Sequence, residues 1–215
     1  MANLCGVILA AGASSRMGTD KALLPWPPTG SGSSLQTFLS AAIQSFEPFS
    51  ELVIVVAGHN APNLAPVVYA QGASLVTNPA PERGQFSSLQ VGLQEVLNRG
   101  RDAAILTLVD RPPVQGATLE RLCDHFRNRP HAVWAVIPEY LGKHGHPVLL
   151  GREMIEALLK AAPSANAREV EHLNQEHIEY IALEDPMVAL NIDTPEDYAA
   201  LATYNMKSSP TGKAL

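Results

Sequence analysis

The residues able to do chemistry in this chain sit in short segments that follow apolar runs. The first is Leu9-Ala10-Ala11-Gly12-Ala13-Ser14-Ser15-Arg16-Met17-Gly18, with Lys21 just beyond it. Small side chains let the backbone approach a ligand here, and successive N–H groups can cradle phosphate oxygens. Arg16 and Lys21 add the full charge that backbone dipoles lack. The competing reading is a plain chain reversal with two solvated cations. The segment has neither a Gly-Lys-Ser/Thr ending nor the Gly-x-Gly-x-x-Gly spacing, so it is a different kind of anion loop from either of those. Asp110 forms the second segment. It closes the apolar run Ala103 to Val109 and precedes Arg111-Pro112-Pro113, where the prolines forbid further regular structure. A lone carboxylate at the carboxyl end of a parallel strand suits Mg²⁺, which uses one or two carboxylates together with waters and substrate phosphates. Its other use is as a turn or helix cap. Asp193 carries the same ambiguity, because Asp193-Thr194-Pro195-Glu196-Asp197 also reads as a helix start with Pro195 at the first helical position.

Further candidates are polar groups in turns. Asn78 to Leu89 is a loop feeding a helix, with Ser87 placed to cap it. Lys143-His144-Gly145-His146-Pro147-Val148 is a polar turn before a strand, and Arg168 lies in a short polar stretch where a solvated helix residue explains it equally well. The histidines offer no spacing for a closed tetrahedral zinc site. Cys5 and Cys123 make no disulfide framework and read as reduced packing residues.

These segments need a scaffold, and the apolar pattern supplies one. Runs rich in β-branched residues at Leu4 to Leu9, Leu52 to Val56, Ala73 to Thr77, Ala103 to Val109 and Ala132 to Ile137 read as buried strands, with Trp134 in the core. Helix-period segments alternate with them at Leu35 to Gln44, Pro62 to Tyr69, Ser87 to Leu97 and Thr118 to Arg127. Such alternation predicts an α/β fold with a mostly parallel sheet covered by helices. Beyond Pro138 the rhythm changes to short extended pieces near Val148 and Ile178 and helices at Arg152 to Lys160 and Pro195 to Tyr204, which complete one side of the site. The stretch Pro27 to Ser34 reads as a loop, with Ser33 or Ser34 capping the next helix. One domain is expected over residues 1–206, with a disordered tail at 207–215.

Composition sets the outer limits. The chain has 215 residues, 46% of them apolar, and a formal charge of −6. An acidic whole argues against general binding to nucleic acid or anionic membrane, so any anionic ligand must be held locally. No apolar run is long enough to span a bilayer and no leader is recognisable, which makes a cytoplasmic location the expectation.

The pattern Leu-Ala-Ala-Gly-x-Ser-x-Arg-Met-Gly-x-Asp-Lys-x-Leu-Leu-Pro at Leu9 to Pro25 resembles the signature of the MobA-like NTP-transferase family. The likeness continues at Gly84 to Leu89, Val109 to Pro112, Gly145 to Val148 and Asn191 to Asp197, and so spans nearly the whole chain. It implies a single-domain, Rossmann-like three-layer sandwich of the nucleotide-diphospho-sugar transferase type. It also implies transfer of a nucleoside monophosphate to a phosphorylated acceptor with release of pyrophosphate. By this resemblance Leu9, Ala10, Ala11, Gly12, Ser14, Ser15, Arg16 and Lys21 hold the triphosphate, with Lys21, Arg16 and Asp110 catalytic. Asn78, Ser87 and Ser88 contact base and ribose, Asp110 and Asp193 hold Mg²⁺, and His146, Pro147 and Arg168 face the acceptor. Asn191, the alternative to Asp193, stands where the cytidylyl-transferring branch often has Asp. The double alanine resembles the CTP users of that branch, whose acceptor is molybdopterin and whose partners include, transiently, a molybdoenzyme or its chaperone. GTP, sugar or polyol phosphates are the alternatives within the fold. A non-catalytic cofactor-binding chaperone is the alternative outside the enzyme class.

Overall fold

The computed structural model describes residues 4–12, 17–28 and 36–208. Its eight strands are β1 Leu4–Leu9, β2 Leu52–Ala57, β3 Ser74–Thr77, β4 Ala103–Leu108, β5 Ala135–Tyr140, β6 Lys143–His144, β7 Val148–Gly151 and β8 Ile178–Ala182. They form one sheet in the order β3-β2-β1-β4-β7-β5-β6, with β8 also paired to β5. The pairs β1–β2, β1–β4, β2–β3 and β5–β8 are parallel, whereas β7 runs antiparallel to both β4 and β5. The helices are α1 Phe38–Phe46, α2 Ala61–Ala70, α3 Gln85–Asn98, α4 Gly116–Arg127, α5 Arg152–Lys160, α6 Ala167–Leu173 and α7 Pro195–Ser208.

Burial on both faces of β1 explains its continuous apolar run. Leu4 and Ile8 join a core with Ile43 and Phe46 of α1, Leu64 of α2 and Leu122 of α4. Cys5, Val7 and Leu9 point the other way, into a second core with Leu89 and Leu93 of α3 and Ile155 of α5. The period-2 alternation of a strand thus feeds two apolar layers, and helices cover both faces of the sheet. This is the α/β arrangement expected from the alternating pattern, and it has the three layers that the resemblance implies. Helix α3 lies close on the sheet: a methyl at Gly92 would stand 2.9 Å from Val7 and Val56 side-chain carbons.

Several boundaries differ from the sequence expectation. Strand β5 starts at Ala135, after a turn closed by Val133 N–H donating to Pro130 O at 2.9 Å, and Trp134 is half-buried with its ring stacked on His177 at 3.7 Å instead of lying in the core. The polar turn at Lys143-His144 pairs with β5 as a two-residue strand. Helix α1 is capped by Thr37 and Ser40 in a reciprocal capping box, while Ser33 and Ser34 lie outside the described residues. Helix α7 includes Lys207 and Ser208, so the expected tail boundary falls inside it; residues 209–215 lie outside the described set.

Candidate active site

Strand order reverses at β1, which has β2 on one side and β4 on the other, and in open α/β sheets the crevice beyond such a point receives ligands. The chain ends there are locked together. Ala10 N–H donates to Val56 O at 2.8 Å, Val109 N–H to Leu9 O at 3.0 Å and Asn78 N–H to Ala57 O at 2.8 Å. Beyond them opens a cavity of about 530 Å³, lined by Leu9, Ala11, Gly12, Lys21, His59, Glu82, Gln85, Ser88, Asp110 and Asp193 among others. The first turn of α3 forms one wall, and its N-terminus adds a partial positive charge. Gly84 precedes that turn at φ 89° and ψ −177°, a conformation open essentially to glycine alone.

Lys21 stands between the two acids. Its Nζ donates to Asp193 Oδ1 at 2.8 Å and lies 3.8 Å from Asp110 Oδ2, with the residue only 9% exposed. Burial raises the Asp110 carboxyl above the usual range, and the Lys21 and Arg111 charges work against that rise. Asp110 Oδ1 is buried without a hydrogen-bond partner, and so is Asn191 Oδ1. The Asn191 amide donates to Asp193 Oδ2. The capping ambiguity at Asp193 resolves locally: Thr194 Oγ1 accepts from Asp197 N–H at 3.2 Å and Asp197 accepts from the N–H groups of Asp193 and Thr194. Helix α7 is capped without the Asp193 side chain, which is left to face the cavity. Ile192 N–H donates to Asp110 O at 2.9 Å and fastens the two acidic segments together.

A residue invisible to sequence reasoning organises the loop. The Asn60 amide donates to Ala10 O at 2.9 Å and to Asp20 Oδ2 at 2.7 Å, while its oxygen accepts from Gly58 N–H at 3.0 Å. Asp20 in turn accepts from Ala22 N–H at 3.0 Å and caps the short 3-10 turn that carries Lys21. Asn60 therefore spends both donors on tying β2's exit to the anion loop and to the lysine's turn. The only sequence signal was its position after a strand.

A second cavity of about 790 Å³ adjoins the first and shares Leu9, Gln85 and Leu108 with it. Its floor is apolar, from Leu106, Ile137, Val148 and Met154, and Arg83, Arg111, His146, Arg168 and Glu171 supply polar groups. Gly145 is required beside it, since a Cβ there would meet Val188 O at 1.9 Å. His146 N–H donates to that same Val188 O at 2.8 Å. Burial first, then the Arg111 charge, lowers the His146 pKa to about 4.

Of the nucleotide-side candidates, Leu9, Ala11, Gly12, Lys21, Ser88 and Asp110 line the first cavity. Ala10 is instead a core residue. Asn78 and Ser87 are not among the cavity's lining residues: the buried Asn78 amide donates to both Ser87 Oγ and Ser88 Oγ, and Ser87 Oγ donates to Gly84 O at 2.7 Å. Ser87 is not the cap, because α3 begins at Gln85 after Gly84. Ser14, Ser15 and Arg16 lie outside the described residues. On the acceptor side His146 and the exposed Arg168 line the second cavity. Pro147, after a cis peptide bond, is buried and shapes the turn from behind. Among the described residues no group of three or more His, Cys, Asp or Glu could hold a metal. None of their helices is long and apolar enough to cross a membrane.

On a sheet of this order, the small-residue segment leaving β1 and the acids beyond β4 and before α7 share one cavity, the layout expected of an α/β nucleotidyltransferase. A family model described as the MobA-like NTP transferase domain matches residues 6–179, and the chain belongs to that family. It is 27% identical to the molybdenum cofactor cytidylyltransferase of Escherichia coli K12, covering 89% of this chain and 92% of that protein. It is 33% identical to a probable molybdenum cofactor guanylyltransferase of Rhodopirellula baltica, over 59% of this chain and 57% of that one. A crystal structure from Mycobacterium tuberculosis H37Rv superimposes with a TM-score of 0.76 at 28% identity, covering 94% of this chain and 97% of that one. A manganese complex from the same organism gives 0.73 at 25% identity, over 94% and 98% of the two chains.

Proposed function

We propose that this enzyme transfers CMP from CTP to the phosphate of molybdopterin and releases pyrophosphate, with Mg²⁺ as its metal. The observation that carries the reading is the convergence of Lys21, Asp110 and Asp193 on a cavity walled by the anion loop and the N-terminus of α3. An acceptor phosphate oxygen attacks the α-phosphorus, a new P–O bond forms, the bond to the bridging α–β oxygen breaks, and pyrophosphate leaves with that electron pair. A phosphate monoester is largely ionised near neutrality, so the reaction needs alignment and charge stabilisation more than a protein nucleophile. Gly12 and the flanking amides, with Arg16, hold the triphosphate, Lys21 neutralises charge and Ser88 offers a hydroxyl. Asp110 and Asp193 hold the metal, with Asn191 orienting Asp193. The partnerless Asp110 Oδ1 and Asn191 Oδ1 fit a hard cation that takes oxygen ligands. An ion held there would supply positive charge to stabilise the charge developing on the phosphate groups. A manganese-bound relative supports a divalent ion here.

Base and acceptor rest on likeness: the double alanine at Ala10-Ala11 resembles the CTP users, in keeping with the cytidylyltransferase relative. Molybdopterin as acceptor follows the names of the relatives. Hand-over of the product to a molybdoenzyme or its chaperone by transient contact belongs to the same proposal. A thermal-shift panel tests the nucleotide. With Mg²⁺ and every nucleotide at one common concentration, about a hundred times the CTP Kd, stabilisation by CTP of ~2.7 kcal/mol corresponds to a rise of roughly 5–10 °C. CTP is expected to give the largest rise. An equal or larger rise with GTP would overturn the base assignment, and no rise with any nucleotide would overturn the reading.

A further inference from the structure

We propose that Arg111 is the cation that grips the acceptor's phosphate monoester in the second cavity. The inference rests on the transfer reading above and assigns the anion contact of that cavity to a residue outside the Gly145-His146-Pro147 motif. Asp110 and Arg111 are adjacent in the turn that ends β4, where Arg111 N–H donates to Leu108 O at 3.0 Å. Asp110 lines the first cavity and Arg111 the second, so one turn presents opposite charges to the two compartments. Lys21 sits with both acids on the first-cavity side, so charge on an acceptor phosphate in the second cavity calls for a cation on that side.

The guanidinium suits that task. Its Nη1 donates to Leu190 O at 2.9 Å and Ala189 O at 3.4 Å, which fixes the arm. Its Nε is buried and without a partner, and the planar guanidinium fork matches phosphate geometry. Arg83 and Arg168 line the same cavity but are exposed, whereas Arg111 is half-buried, and charge acts more strongly away from solvent. Its field is felt at both Asp110 and His146. His146 is the weaker candidate. Its Nδ1 lies 3.4 Å from Leu106 O, which can only accept; in the neutral tautomer that donates there, Nε2 offers a lone pair. Such a ring accepts from an N–H or O–H of the acceptor and does not donate to an anion.

The test is steady-state pyrophosphate release with molybdopterin and saturating MgCTP, together with CTP affinity measured separately by thermal shift. Arg111→Gln keeps a donor for Leu190 O but removes the charge, and Arg111→Lys keeps the charge. For Arg111→Gln we expect the acceptor KM to rise about 10- to 100-fold, the scale of one charge-assisted hydrogen bond, with CTP affinity shifted less than about 3-fold. Arg111→Lys should recover most of the loss. The proposal is overturned if the acceptor KM of Arg111→Gln stays within about 3-fold of wild type. It is equally overturned if acceptor and CTP affinities fall together in both variants, which would make Arg111 only a clamp on residues 189–190. If the wild type releases no pyrophosphate, the transfer reading fails by itself. Phosphorus NMR line broadening of inorganic phosphate then still decides the point: broadening lost in Arg111→Gln supports the assignment, and equal broadening removes it.

Discussion

Lys21 and His146 show how much of the site depends on where a charge is allowed. Lys21 separates two carboxylates that would otherwise repel, so Lys21→Ala should cut turnover by about 10²- to 10³-fold while lowering Tm by only a few degrees. Pyrophosphate release and a melt, made on the same sample, check this. His146 gives a pH signature. The unfolded chain takes up the proton near 6.5, whereas the folded chain resists it until about 4, so stability falls as pH drops through that window. The loss amounts to as much as ~3 kcal/mol. His146→Gln has no such group to titrate, and its denaturant-derived stability should decline less than that of wild type between pH 7 and pH 4.5. At this scale the sequence picked out Lys21, Asp110 and Asp193, which meet at one cavity, because each lies in a polar segment between a strand and a helix. It was silent about Asn60 and Arg111, whose roles arise from contacts with segments 40 to 80 residues away.

At the scale of elements, the site is held by the loops that leave β1, β2 and β4 and by the turn before β7. Gly145→Ala would drive a methyl to 1.9 Å from Val188 O, backbone that cannot swing aside, and should cost more than about 2 kcal/mol in a urea melt. Asn60→Asp keeps the shape but removes both donors and sets a carboxylate against Asp20 Oδ2. It should therefore be more destabilising than Asn60→Ala, by ~1–3 kcal/mol in the same melt, and should bind CTP more weakly. Strand and helix existence was legible because period-2 and period-3.6 patterns report burial directly. Boundaries such as Ala135 for β5 and Gln85 for α3 were not. They depend on turn geometry, at Pro130 to Trp134 and at Gly84, that apolar spacing does not encode. The two-residue strand β6 is polar and exposed, so no burial pattern announces it.

In the whole molecule, the strand order that reverses at β1 places two cavities side by side, one carrying the acids and the anion loop, the other an apolar floor with Arg111. Alternating strand and helix patterns predicted the layers. The antiparallel insertion of β7 between β4 and β5 followed from no local signal, since pairing partners are chosen by tertiary packing. That insertion brings Gly145 and His146 beside the end of β4 and so supplies the second compartment. Two adjoining compartments are what a transfer between two bound substrates requires. The most direct measurement is pyrophosphate release by the wild type and by Asp110→Ala, with Mg²⁺, CTP and molybdopterin supplied together and each omitted in turn. The account predicts release only when all three are present and a loss of at least about 100-fold in the variant. Release that survives Asp110→Ala undiminished, or no release from the wild type with the full set, would contradict it.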